Sequence, residues 1–208
     1  MNSSQSNESV ASVLKAGIGA NNPVLVQVLG ICSALAVTGT ITTTLVMGAS
    51  LMIVTGLSCL MVSALRHTIP HTVRLMVQMM VISVFVILVN LYLQAYHYGV
   101  SKALGPYVGL IITNCIVLGR TEGFALRHGP WLSFMDGLAN GAGYALVLLC
   151  ISVIREFTGV GCLMGHRLMP DWFEPAMFMR TAPGAFITLG IVIWIIRGIA
   201  PAKEERAD

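Results

Sequence analysis

Charge is scarce in this 208-residue chain, with Asp, Glu, Lys and Arg together making up 10% of it. A soluble domain carries about a quarter charged residues, so there is too little polar surface here to cover a globule facing water. Twelve Lys and Arg against nine Asp and Glu leave a net charge of +3, scattered along the chain, which excludes the clustered basic face of a nucleic-acid binder. Cys-x-x-Cys, a Gly-rich phosphate loop, a nucleophile elbow and His-Glu-x-x-His are all missing, so no motif points to nucleotide binding or hydrolysis. The first 22 residues lack the basic head and apolar run of a cleavable signal; polar, Ser-rich and carrying only Lys15, they read as a mature tail. What is abundant is apolar: 56% of the residues are hydrophobic and the mean hydropathy is +0.81. That composition excludes disorder and a secreted disulfide scaffold, and it predicts an all-α integral membrane protein.

Residues 24–65 form a run of 42 without Asp, Glu, Lys or Arg, whereas one helix needs about 20 to cross the hydrocarbon core. Two segments must share the run, and the break is expected within Thr38-Gly39-Thr40-Ile41-Thr42-Thr43-Thr44. Gly and β-branched Thr weaken a helix there, while threonine hydroxyls can satisfy the freed backbone groups. The first segment is then short, residues 24–37. Further segments are predicted at 75–96, 107–118 (again short), 132–154 and 181–196, which makes six. With each segment crossing once, one side receives Lys15, Arg66, Arg74, Arg120, Arg127, Arg197, Lys203 and Arg206, the other Lys102, Arg155, Arg167 and Arg180. The positive-inside rule puts both termini in the cytoplasm.

The two short segments are related. Asn22-Pro23-Val24-Leu25-Val26-Gln27-Val28-Leu29-Gly30-Ile31-Cys32 aligns without gaps to Gly105-Pro106-Tyr107-Val108-Gly109-Leu110-Ile111-Ile112-Thr113-Asn114-Cys115. Proline suits the first turn of a helix, so Pro23 and Pro106 mark two expected helix starts, and each cysteine lies nine residues further on. At 1.5 Å per residue that is about 13 Å, near the midplane of a core about 30 Å thick. The second copy follows three crossings and so enters from the opposite face. The expected architecture is therefore a polar tail at 1–22, a single membrane domain at 23–200 made of two inverted three-helix repeats (23–100 and 106–200) with short or broken first and fourth helices, and a polar tail at 201–208.

Short, Gly/Pro-interrupted segments in matching positions are the best sequence pointer to the functional site of such folds. Here both carry a thiol, Cys32 and Cys115. Packing, a disulfide and metal ligation all stand open on the residues alone, because cysteine is also an ordinary small apolar residue. Zinc and iron-sulfur centres usually take four protein ligands, so either Cys59 and Cys150 complete the set or a second chain built on the same plan does; the second chain is favoured. Cys162, in the fifth loop, reads as incidental.

Gly109-Leu110-Ile111-Ile112-Thr113-Asn114-Cys115-Ile116-Val117-Leu118-Gly119-Arg120 followed by Glu122, and Leu29-Gly30-Ile31-Cys32-Ser33-Ala34-Leu35-Ala36-Val37-Thr38, resemble the signatures of one family of membrane subunits. It contains the D-type and E-type subunits of the Nqr complex and the A-type and E-type subunits of the Rnf complex. Ser133-Phe134-Met135-Asp136-Gly137, Arg155-Glu156 and Ile193-Trp194-Ile195-Ile196-Arg197 are most similar to the D branch of Nqr, with the E branch of Rnf, in ferredoxin/NAD electron transport, as the alternative. The resemblance covers about residues 21–201. It implies a bacterial inner-membrane subunit of a six-subunit, sodium-translocating NADH:quinone oxidoreductase, not catalytic on its own. Cys32 and Cys115 would supply half of a 2Fe-2S cluster shared with the homologous E-type subunit. That cluster would relay electrons from the NADH-oxidising flavoprotein toward FMN and quinone, coupled to sodium export. FAD, FMN, riboflavin and a further 2Fe-2S centre would belong to other members of the complex, among the A, B, C and F types.

Thr113 and Asn114 are candidate groups behind the cysteine ligands, with helix-interface hydrogen bonding as the competing role. Asp136 is a candidate for the cation path, or simply an acid at a membrane edge. Glu122 and Arg155-Glu156 are expected to anchor loops at the surface, and the loop at 155–180 to be irregular with an aromatic interface anchor. Pro70 between His67 and His71 argues against a metal-binding helix face. Two other classes stand beside the redox reading: an inverted-repeat transporter in which the cysteines only pack, and a structural assembly subunit.

Overall fold

The computed structural model of the chain describes residues 29–96, 99, 102, 105–160, 162–163, 166–167, 178 and 181–199. Both expected polar tails, Pro23 with the start of the first segment, and most of the 155–180 loop lie outside the described residues. The architecture is helical: α1 (Ile31–Val37), α2 (Ile41–Leu65), α3 (Arg74–Tyr96), α4 (Val108–Ile112), α5 (Cys115–Arg120), α6 (Pro130–Val160) and α7 (Ala182–Ile199). Two-residue strands, Cys162–Leu163 and His166–Arg167, pair antiparallel. Among the described residues, four stretches are long and apolar enough to cross a membrane: Ile41–Leu65, Arg74–Tyr96, Gly105–Ala125 and Pro130–Gly159. The 25 residues of α2 span about 38 Å, enough for the hydrocarbon core with some tilt.

The centre of the bundle is the antiparallel crossing of α2 and α6, each 56% buried over its most apolar window, against 17% for α3. Lipid tails are as apolar as leucine, so helices in a membrane associate through close van der Waals fit rather than through the hydrophobic effect. Gly137, Gly141 and Ala145 on α6 face Gly56, Met52 and Gly48 on α2, one pair per helical turn. A Cβ on Gly141 would stand 2.8 Å from Met52 Cα, and one on Gly137 3.0 Å from Gly56 Cα, so backbone meets backbone and larger residues are excluded.

The break in the first long apolar run falls at Thr38-Gly39-Thr40, inside the expected window, and the threonine hydroxyls satisfy freed carbonyls around it. Thr38 Oγ1 donates to Ala34 O (2.5 Å), Thr43 Oγ1 to Val37 O (3.2 Å), and Thr44 Oγ1 to Thr40 O (2.8 Å). Arg155 and Glu156 correct an expectation. They lie within α6, which runs six residues past its predicted end and passes over this break, rather than in a surface loop. Glu156 Oε2 accepts from Ile41 N (2.7 Å), serving the orphan amides at the start of α2. Arg155, 2% exposed, donates to Thr38 Oγ1 and Leu35 O.

Candidate functional site: two cysteine-bearing helix breaks

Each cysteine sits just after an interruption of the backbone. In the second copy the chain enters through a 3-10 turn at Gly105–Tyr107, which keeps Pro106 at a helix start, and then runs through α4. The sequence predicts a helix continuous from the proline through the cysteine, but the chain leaves helical geometry at Thr113. Asn114 turns extended (φ −68°, ψ 123°), and its Oδ1 accepts from Ile116 N (3.0 Å). This N-cap competes with continuing the helix, and α5 starts afresh at Cys115. The chain then runs through a π-helical turn, Thr121–Ala125, well past the predicted end at 118. In the first copy Gly30 takes a left-handed conformation (φ 82°), α1 starts at Ile31, and Cys32 is its second residue. Gly30 aligns with Thr113 and Ile31 with Asn114, so the two cysteine-bearing helices start one residue apart in the alignment, Cys32 as a second residue and Cys115 as a first. The thiols belong to the first turns of new half-helices rather than to the ninth residue of an unbroken one.

A buried polar knot ties the two breaks together. Asn114 Nδ2 donates to Ser33 Oγ (3.0 Å), which donates to Gly30 O (3.1 Å). The hydroxyl of Tyr144, reaching in from α6, lies against Ser33 Oγ and donates to Gly30 O (3.2 Å). Ser33, Asn114 and Tyr144 are all at most 3% exposed, so these bonds form where no water can replace them. Ser33 adjoins Cys32 and Asn114 adjoins Cys115; one hydrogen bond thus holds the two cysteine-bearing turns side by side.

Both cysteines are free, Cys32 exposed and Cys115 half-buried, so the disulfide reading has no support in this structure. Cys59 is buried against Val62, and Cys150 is exposed on α6. Among the described residues no three His, Cys, Asp or Glu side chains converge on one point, so Cys59 and Cys150 do not complete a ligand set. The donor chemistry fits half of an iron-sulfur site: two soft thiols, accessible at a surface, on a preorganised base. Thr113 stands apart from the knot. It is exposed, and its hydroxyl returns to Gly109 O of its own helix (3.2 Å).

Asp136, 2% exposed, lies in α6 with both carboxylate oxygens engaged. Arg120 donates Nε to Oδ2 (2.8 Å) and a second N–H to Oδ1, and Asn140 Nδ2 donates to Oδ1 (2.9 Å). A cation taking Asp136 as a ligand would have to displace a bidentate guanidinium. Glu122 is not a free loop anchor; it pairs with Arg74 and accepts from buried Gln78 (2.9 Å), joining the π turn to α3.

Sequence reasoning missed Ser33 and Tyr144. A tyrosine in an apolar run carries the signal that its hydroxyl needs a partner when buried, but the partner is 111 residues away along the chain.

The family profile described as "Rnf-Nqr subunit, membrane protein" matches residues 10–193. A protein of Tolumonas auensis, named as the D-type subunit of a Na(+)-translocating NADH-quinone reductase, is 46% identical over 193 residues, 90% of each chain. Proteins of the same name from Shewanella strains W3-18-1 and ANA-3 are 46% and 47% identical over 198 residues, 93% of this chain and 94% of theirs.

Proposed function

Because the chain belongs to the Rnf-Nqr family of membrane subunits, we propose that it is the D-type subunit of a sodium-translocating NADH-quinone reductase, in which Cys32 and Cys115 hold one half of an intramembrane 2Fe-2S cluster. The homologous E-type subunit supplies the other two thiolates, and the flavins and the second 2Fe-2S centre reside in the remaining subunits. The observation that carries the reading is the Asn114–Ser33 hydrogen bond, which brings together two free cysteines from equivalent positions of the two halves. Two thiols short of a set are what a shared site requires of each contributor.

The rest of the fold supports an inverted repeat of six crossings. The matched breaks and the antiparallel, turn-by-turn meeting of α2 with α6 are those expected of equivalent helices related by a pseudo-two-fold axis in the membrane plane. Both termini then face the cytoplasm across the inner membrane. Such a cluster, held by these two cysteines and two from the partner, would supply one-electron transfer between NADH and quinone. The chain's own residues bind and orient: Cys32 and Cys115 ligate as thiolates, Asn114 and Ser33 fix the spacing of the two turns, and Tyr144 closes the site from behind so that water stays out. Asp136 contributes to sodium movement only when Arg120 is displaced; held as it is, it fastens the end of α5 to α6.

Iron and acid-labile sulfide, with low-temperature EPR of the reduced complex, test the reading in wild type, Cys32→Ala and Cys115→Ala. Each variant is expected to lose one 2Fe-2S cluster and quinone reduction while the flavoprotein still oxidises NADH with an artificial acceptor. Unchanged iron and spectra would make the cysteines packing residues and end the proposal.

A further inference from the structure

One end of the bundle gathers basic groups around a cavity that the cysteine site does not use. α2 ends at Leu65, the chain turns through Arg66, His67 and Ile69, and α3 starts at Arg74; a cavity of about 310 Å³ opens there, lined by these residues and Leu126. Among the described residues, Arg66 and Arg74 line the cavity, and Arg120 and Arg127 belong to the segment that contributes Leu126. The two acids here are already taken, Glu122 by Arg74 and Asp136 by Arg120. Arg66 and Arg127 therefore have no carboxylate among the described residues, and only Arg66 lines the cavity. Its bonds go to neutral acceptors, Nε to His67 Nε2 (3.2 Å) and Nη1 to the His128 carbonyl (2.8 Å). They fix the plane of the guanidinium without neutralising it.

Ile69 and Leu126 give the cavity an apolar side. Immediately beyond Arg74, α3 presents Leu75, Met76 and Met80 outward, 59%, 76% and 72% exposed. An unneutralised, half-buried guanidinium at the head of an apolar stripe on a membrane-embedded helix matches the two ends of a phospholipid. Guanidinium forks bind phosphate oxygens in pairs, and basic pockets between helices at the membrane surface take anionic headgroups. A zwitterionic lipid would carry its own ammonium into a region that already has an excess of positive charge.

We propose that this cavity binds the phosphate of an anionic membrane phospholipid, with Arg66 and Arg74 donating to it and the acyl chains lying along Leu75, Met76 and Met80.

The test titrates the purified membrane complex with a short-chain fluorescent phosphatidylglycerol, with phosphatidylcholine of equal chain length and inorganic phosphate in parallel. Arg66→Gln is expected to weaken phosphatidylglycerol binding about fivefold, and Arg127→Gln, next to Leu126 but not lining the cavity, by less than about twofold. Phosphatidylcholine is expected to bind more weakly than phosphatidylglycerol, and inorganic phosphate not to displace it. Equal binding by Arg66→Gln and wild type, an equal loss in Arg127→Gln, or no preference over phosphatidylcholine would overturn the proposal. Displacement by inorganic phosphate would reassign the cavity to a free anion. Should Arg66→Gln fail to assemble, Arg66→Lys keeps the charge and loses the fork: a twofold to threefold weakening, smaller than the loss expected on removing the charge, supports the site, and unchanged binding refutes it.

Discussion

The two helix breaks reach one geometry by different chemistry. The first relies on backbone: Gly30 at φ 82° turns the chain into α1, and no side chain caps the new helix. The second relies on a side chain: Asn114 caps α5 with Oδ1 and, with its Nδ2, reaches across to Ser33 of the other half. The first break is thus passive, a shape that only glycine tolerates, whereas the second both makes its own turn and anchors its counterpart. The difference teaches that two cysteine-bearing helix starts can be brought side by side by different local devices, one a backbone conformation and the other a side chain.

Removing the passive side should cost most. Gly30→Ala puts a Cβ 2.8 Å from Ile116 Cδ1 and 2.9 Å from the Tyr144 ring, at a φ that L-residues resist. Left-handed strain and overpacking together come to about 2–4 kcal/mol. The expected outcome is a more than tenfold loss of assembled complex on blue-native gels; assembly at wild-type level would show that the break does not depend on glycine. Asn114→Ala comes next, since it deletes a cap worth about 1 kcal/mol and a buried cross-link of about the same size. Asn114→Asp separates the two roles, keeping the cap acceptor but not the donor to Ser33. If Asp restores thermal stability but not the EPR line shape, the cross-link and the cap are independent. Tyr144→Phe is the smallest change, removing one hydroxyl for about 1 kcal/mol. It is expected to leave iron content intact while shifting the midpoint potential of the cluster, measured by EPR-monitored redox titration; an unmoved potential would reduce Tyr144 to packing.

Much of this was legible in the chain. The Thr38-Gly39-Thr40 break followed from weak helix formers with hydroxyls to spare, and the proline-to-cysteine spacing singled out the two thiols whose helices the Asn114–Ser33 bond joins. The interruption at Asn114 was also written in the sequence, because Asn ahead of an apolar run is an N-cap signature, but the proline upstream drew the helix straight through it. Arg155 and Glu156 were not legible as break partners. Their charge implied a surface, and only the extra length of α6 shows that two charged residues can sit over exposed amides and carbonyls of another helix. Tyr144 was hidden for the same reason: its role exists only once α6 has crossed α2 at Gly141.

That crossing leaves α3 with most of its circumference uncovered by its own chain. Whatever clothes it, acyl chains or a neighbouring subunit, takes part in the equilibrium that keeps it folded back onto the bundle. The melting behaviour of this protein is then a shared property that depends by mass action on lipid, detergent and partner concentration. A chain made in excess of its neighbours would leave that face bare, open to recognition and degradation.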